Sequence, residues 1–287
     1  MSEAMQRVEH GGHRRGLQGG HSDTEPPTAV SFAPRPAAAP LPRMIAAQAG
    51  MELRVMLRNG EQLLLTMVIP VLLLIGFSLT SLVDVGSGSR VEFLTPGVLA
   101  LAVLSTAFTG QAIGTGFERR YGVLKRLGAT PLPRFGLVAA KTLAVLTVEV
   151  LQITLLCAVA VALGWSPRLS ALGIATAVVL VLLATAAFAA LGLLLAGTLR
   201  AEATLAAANL VYVVLLGLGG VVFPVTRFPT AVEPLLHALP ITALTDGLRW
   251  ALAGSQVGAG SPLPAVMVLA VWTVVATVLA SRLFKWE

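Results

Sequence analysis

Cysteine, charge and aromatic rings are all scarce in these 287 residues, and each scarcity excludes something. The single cysteine, Cys157, rules out a disulfide framework within the chain and any cysteine-based zinc cluster. It sits in an apolar run, where a thiol behaves as a small hydrophobe. Asp, Glu, Lys and Arg together make up 12% of the chain, against roughly 25% in an ordinary soluble domain. So few charges cannot cover a water-facing surface. The same count excludes general disorder, because disordered chains are polar and highly charged. Catalytic signatures are missing too: there is no HExxH, no GxSxG, and no pair of carboxylates at a spacing useful for acid–base work. The run Gly136-Leu137-Val138-Ala139-Ala140-Lys141-Thr142 has the outline of a phosphate-binding loop. It lacks the glycine before the lysine and precedes an apolar block. Basic residues outnumber acidic ones by 20 to 14, yet they form no single stripe, which argues against a nucleic-acid partner.

What the chain has in abundance is apolar sequence: 56% hydrophobic residues and a mean hydropathy of +0.83. A bilayer core takes about 20 helical residues to cross. Six blocks meet that length, at residues 62–83, 94–117, 138–164, 169–197, 203–223 and 263–283. They predict an all-α polytopic membrane protein with six transmembrane helices, since open strands could not satisfy their backbone in lipid. The third block is the least secure of the six, because it holds Glu149.

Lys and Arg cluster on the side of a membrane protein that faces the cytoplasm. Placing the N-terminus inside puts 16 of the 20 basic residues in inside segments. Only Arg90, Arg168, Arg227 and Arg249 then lie outside. Both termini are expected in the cytoplasm.

The first 43 residues are a different material, rich in Gly, Pro, His and Ser and without an apolar core for a signal peptide. A disordered cytoplasmic tail is expected there. His10, His13 and His21 are spaced too irregularly to mark a metal site, and Met44 or Met51 could serve as a translation start. The transmembrane domain then covers residues 44–287. Its first stretch, Met44 to Glu61, carries Gln48, Glu52 and Asn59 near one helical face and Ile45, Met56 and Leu57 as apolar contacts. This predicts an interfacial helix that turns into the first span at Gly60; the alternative is a plain extension of that span.

The inside loop after the second block reads Glu118-Arg119-Arg120-Tyr121-Gly122-Val123-Leu124-Lys125-Arg126-Leu127-Gly128-Ala129-Thr130-Pro131-Leu132-Pro133. Val123, Leu124 and Leu127 share one side of a helix that Gly128 and the two prolines bring to an end. An apolar stripe on an exposed loop needs a partner surface. A loop that merely obeys the charge rule is the plainer reading.

At this point the sequence resembles the permease subunits of ABC transporters of the ABC-2 type, the group that includes daunorubicin-resistance permeases. The pattern from Glu118 through Gly122, Leu124, Leu127, Thr130 and Pro131 is similar to that family's coupling-helix segment. So is the exit of the fifth span, Gly219-Gly220-Val221-Val222-Phe223-Pro224, followed by Phe228-Pro229. Pro240 to Arg249, through Asp246, looks like the family's proline-to-arginine signature, with Ala243 where the family places a polar or aromatic residue. The resemblance implies a permease driven by a separate ATP-binding subunit, two copies per transporter, that holds ATP and magnesium while this chain binds no cofactor. It implies that Glu118, Arg119, Arg120, Tyr121, Gly122, Leu124, Lys125, Leu127, Thr130 and Pro131 face that subunit. It further implies short helices at Ala231–Leu239 and Ile241–Ala253 tucked into the outer leaflet, a homodimer, and efflux from a bacterial inner membrane. With so little charge in the spans, the cargo expected is a hydrophobic or amphipathic compound such as a drug, antibiotic or lipid-like product.

Glu149 and, on the same face, Gln152 are polar groups inside a span. An intramembrane carboxylate must face protein or water. Glu149 is either an interhelical hydrogen-bonding group or a cation or proton site; the second role would suit an ion-coupled carrier instead of an ATP-driven one. A non-transporting membrane scaffold is the third reading. Pro70 midway along the first block predicts a kink. Gly110 and Gly114, and Gly217, Gly219 and Gly220, predict close helix approaches.

Overall fold

The structure is a computed structural model, and it describes residues 38–60, 64–80, 89–253 and 261–283. The histidine-bearing tail, both edges of the first apolar block and Lys285 lie outside the described residues. Among the described residues every regular element is helical.

Helix α1 spans Leu41–Arg58, so it begins inside the stretch assigned to the tail. Pro42 stands in its first turn, where a missing N–H costs nothing and the fixed φ favours helix. The helix stops at Asn59, whose backbone is extended (ψ 93°), and not through a special conformation at Gly60. Asn59 thus ends α1 before the first apolar block begins. The first span opens with a π-helical turn, Leu64–Val68, and continues as α2, Ile69–Leu79.

Helix α3 runs Arg90–Arg120 and contains a second π-helical turn, Leu104–Gly110. It starts before the apolar block does and carries Glu118, Arg119 and Arg120 as its last turn, where the sequence reading had put them in a loop. A short helix α4, Val123–Gly128, follows. Then come α5, Arg134–Ala162, α6, Ala171–Thr198, and α7, Ala201–Leu218. The run from Gly136 to Lys141 lies within α5, in continuous helix, so it is no phosphate cradle. Helix α7 ends at Leu218, short of the expected 223, because Gly220 takes a left-handed conformation (φ 68°). Outside it are a single 3₁₀ turn, Val225–Arg227, a five-residue helix α8, Glu233–His237, and α9, Pro240–Ala253. Helix α8 is shorter than the expected Ala231–Leu239. The last helix is α10, Leu263–Leu283.

Five of these helices, α3, α5, α6, α7 and α10, are long and apolar enough to cross a membrane. The apolar helix of the first block is shorter within the described residues, Thr66–Leu79. Helix α3 is the central post: 89% of its apolar window is buried, against 11% for α10. Helices α2, α5, α6, α7 and α9 all pack on it, α10 lies against α6, and α1 lies along α5. The outward faces of α6, α7 and α10 expose Leu172, Leu210, Val213, Val271 and Val274. Such continuous aliphatic surface is stable in lipid and would aggregate in water.

Close helix approaches occur where glycine removes a side chain, but mostly not at the glycines the sequence pattern favoured. A Cβ added at Gly114 or Gly217 would meet nothing within 4 Å. At Gly97 of α3 it would come within 2.6 Å of the Val221 carbonyl, and at Gly192 of α6 within 2.8 Å of the Phe108 carbonyl. Gly219 does fit the expectation, with Ile241 filling the space beside it.

Candidate functional site

Charge concentrates at the Arg120 end of α3, the end that the charge rule expects on the cytoplasmic side and that is called inner below, and three other parts of the chain hold it there. On one side Lys141 of α5 is buried between two carboxylates. Its Nζ lies 3.1 Å from Glu52 Oε2 and 2.7 Å from Glu118 Oε2. Gln48 Nε2 donates to the other oxygen of Glu52 at 2.9 Å, so that carboxylate is fixed from both sides. A buried lysine needs a compensating charge, and here two elements each supply one. On the other side Arg119 Nη2 donates to the Leu199 carbonyl at 2.8 Å, taking up a backbone acceptor at the end of α6. Arg120 pairs with Glu202 in the first turn of α7, an exposed ion pair. Thus consecutive residues Glu118, Arg119 and Arg120 bind α5 and α1, the end of α6, and the start of α7.

The chain then turns sharply. Tyr121 is exposed, its ring stacked on Phe117 with centroids 6.1 Å apart and with the Arg120 guanidinium 5.9 Å from its centroid. Gly122 is left-handed at φ 70°, a conformation that costs an L-residue roughly 1–2 kcal/mol. Helix α4 follows, with Leu124 buried, Val123 and Leu127 half-buried and Lys125 and Arg126 exposed. The apolar stripe is therefore real but turned largely inward, and the basic face is the one presented. Thr130 Oγ1 donates to the Leu127 carbonyl at 2.6 Å, and Pro131 stands exposed beyond it.

The outer cluster is built around Arg249 of α9. Its Nη2 donates to the Gly220 carbonyl at 2.7 Å and its Nη1 to Asp246 Oδ1 at 3.3 Å, while the guanidinium carbon lies 4.0 Å from the centroid of Phe93. Burial pulls this guanidinium below its ordinary pKa, and the Asp246 carboxylate pushes it back up. Asp246 also meets His237 Nδ1 at 3.4 Å. Pro240 is buried at the start of α9, Pro224 precedes the 3₁₀ turn, and Phe223 is exposed beside it. Trp272 of α10 donates its indole N–H to the Ala238 carbonyl at 2.8 Å.

Within the bundle, Glu149 and Gln152 lie one turn apart on α5, each 1% exposed. The Thr185 hydroxyl of α6 and Glu149 Oε2 share a 2.7 Å hydrogen bond. Gln152 accepts from Thr106 Oγ1 at 2.9 Å and donates to the Thr66 carbonyl. These polar pairs bridge separate helices.

The sequence reading had named Glu118, yet it missed its partners. Glu52, Lys141 and Glu118 are far apart along the chain, and only helix packing brings them together. The one available signal was a lysine in the first turns of an otherwise apolar span, and it had been counted as an orientation charge.

The fold and its charged inner end define a polytopic α-helical membrane protein whose surface apparatus lies at a span's end and not within an enclosed catalytic cleft. The model of the family described as ABC-2 type transporter matches residues 47–253, most of the chain. The chain belongs to that family. It is a transporter's permease component and not a catalytic enzyme, and the family implies pairing with a separate ABC ATP-binding subunit, where the ATPase activity lies. No curated protein matches the chain.

Proposed function

We propose that this permease forms the transmembrane pathway of an ATP-driven exporter that moves a hydrophobic or amphipathic compound out of a bacterial cell. One observation carries the reading. The end of α3 is bound on both sides to neighbouring spans, and directly beyond it the chain turns at Gly122 to present α4 with Lys125 and Arg126 outward. A push on α4 is thereby delivered to α3 through one tight turn. From Glu118 it passes by short ion pairs to α5 and α1, and from Arg119 and Arg120 to α6 and α7. Such a continuous linkage suits the conversion of nucleotide-driven closure of a partner into helix movement.

In this reading α4 docks the ATP-binding subunit. Two copies of that subunit, each carrying ATP and magnesium, serve two copies of this chain. The positive-inside balance supports an inner-membrane orientation with both termini in the cytoplasm. The nearly uncharged spans support an apolar cargo of the kind daunorubicin-type permeases handle.

The test is reconstitution in vesicles with and without the ATP-binding partner, using an amphipathic fluorescent dye. The expected result is dye movement only with the partner and ATP. Gly122→Val is expected to leave the protein in the membrane and to lower ATPase stimulation. Dye movement driven by an ion gradient with no partner present would overturn the reading in favour of a carrier centred on Glu149.

A further inference from the structure

The two π-helical turns share a partner. Pro70 has no N–H to give to the carbonyl four residues before it, which is that of Thr66. The chain widens there into the turn Leu64–Val68, and Gln152 of α5 donates its Nε2–H to the Thr66 carbonyl. The other end of the same amide accepts from Thr106 Oγ1 at 2.9 Å. Thr106 sits in the second widened turn, Leu104–Gly110, at the middle of α3. One fully buried amide thus has its donor on the bend of the first span and its acceptor on the bend of the second. Only an uncharged group with both a donor and an acceptor fits: a leucine has neither, and a carboxylate has no N–H for the Thr66 carbonyl.

Widened turns are where helices bend, and they recur at functional positions. Two bends at one depth, joined by one side chain of a third helix, cannot move independently while that amide holds both. One turn earlier on the same face of α5, Glu149 is bound to Thr185 of α6. The middle of α5 therefore makes polar contacts to three neighbouring helices.

We propose that Gln152 is a positioning residue for transport: it synchronises the bends of the first two spans, so that displacement of the inner end of α3 reaches the first span as one concerted movement. This rests on the exporter reading given above.

The experiment compares the wild-type permease, with its ATP-binding partner in vesicles, with Gln152→Leu, Thr106→Val, Pro70→Ala and the Gln152→Leu/Pro70→Ala double variant. Two quantities are measured: dye moved per ATP hydrolysed, and melting temperature. Gln152→Leu removes both buried hydrogen bonds; it is expected to keep ATP hydrolysis and to lower dye moved per ATP about tenfold or more. Thr106→Val cuts only the link to the second span. It is expected to lower the ratio less, and it serves if the leucine variant fails to reach the membrane. Pro70→Ala returns an N–H to the Thr66 carbonyl, so it is expected to recover part of the melting temperature lost in Gln152→Leu. It is not expected to recover transport, because Thr106 remains unheld. Wild-type transport per ATP in both Gln152→Leu and Thr106→Val would overturn the proposal. So would strictly additive melting effects of the leucine and alanine changes. Wild-type vesicles without ATP-dependent dye movement would sink the exporter reading instead, and the melting cycle, which needs no transport, would still decide whether Gln152 holds the first turn.

Discussion

Two arginines, one at each end of the bundle, perform the same local task in opposite surroundings. Arg119 caps the carbonyl of Leu199 at the inner end of α6, and Arg249 caps the carbonyl of Gly220 beyond the outer end of α7. The same end of α3 as Arg119 is held by ion pairs of long side chains: Lys141 with Glu52 and Glu118, and Arg120 with Glu202. Around Arg249 the neighbours are the Phe93 ring, a one-turn Asp246 contact and, nearby, the tight packing of Gly219 on Ile241. Ion pairs on long side chains can re-form after a shift of an ångström or more. A guanidinium stacked on a ring beside a glycine packed at contact distance cannot. On the exporter reading proposed above, the inner end is the one that can be displaced and recover, and the outer end the one that stays.

The largest effect is expected at Lys141. Lys141→Met strands two carboxylates in a buried site and is expected to cost about 3–5 kcal/mol, read as a fall in melting temperature in detergent. Adding Glu52→Gln and Glu118→Gln should restore most of that loss, because no uncompensated charge then remains. If the triple variant is no more stable than Lys141→Met, the inner cluster is not governed by charge balance and the comparison fails. Arg249→Lys comes next, at about 1–3 kcal/mol, since lysine keeps the charge but loses the fork and the flat stacking surface. Its melting temperature is expected to be insensitive to added salt. The smallest effect belongs to Arg120→Ala, which breaks an exposed pair worth about 0–1 kcal/mol and is expected to vanish at high salt. A large, salt-independent loss at Arg120 would erase the distinction between the two ends. Glu149→Gln sharpens the view of the middle: the amide can keep the Thr185 bond, so near-normal transport is expected, and lost transport with normal folding would assign Glu149 a titrating role.

The helical architecture was legible because lipid imposes one rule everywhere: a long uncharged run must be a helix. Contacts between helices follow no such rule. Pro70 announced a bend, but nothing in the linear pattern said that residue 152 would reach the Thr66 carbonyl. Gly110 and Gly114 matched a familiar spacing, yet a Cβ at Gly114 would meet nothing, while Gly97, Gly173 and Gly192 are positions where a Cβ would meet a neighbour's backbone. Spacing reports one face of one helix, and an approach between helices needs both faces. For the same reason the inner loop yielded its short helix, while the turn at Gly122 and the clasp formed by Glu52, Lys141 and Glu118 stayed hidden.

The burial of α3 bears on how the protein is made. The ribosome delivers this helix before α5, α6, α7 and α9, the elements that cover most of it. Until they arrive, Thr106, Gln111 and Thr115, all buried in the finished bundle, lack the neighbours that cover them. The insertion machinery must therefore shelter α3 through most of synthesis. A nascent chain that stops before Pro240 leaves the post without the α9 cover, a state that membrane quality-control proteases are expected to clear.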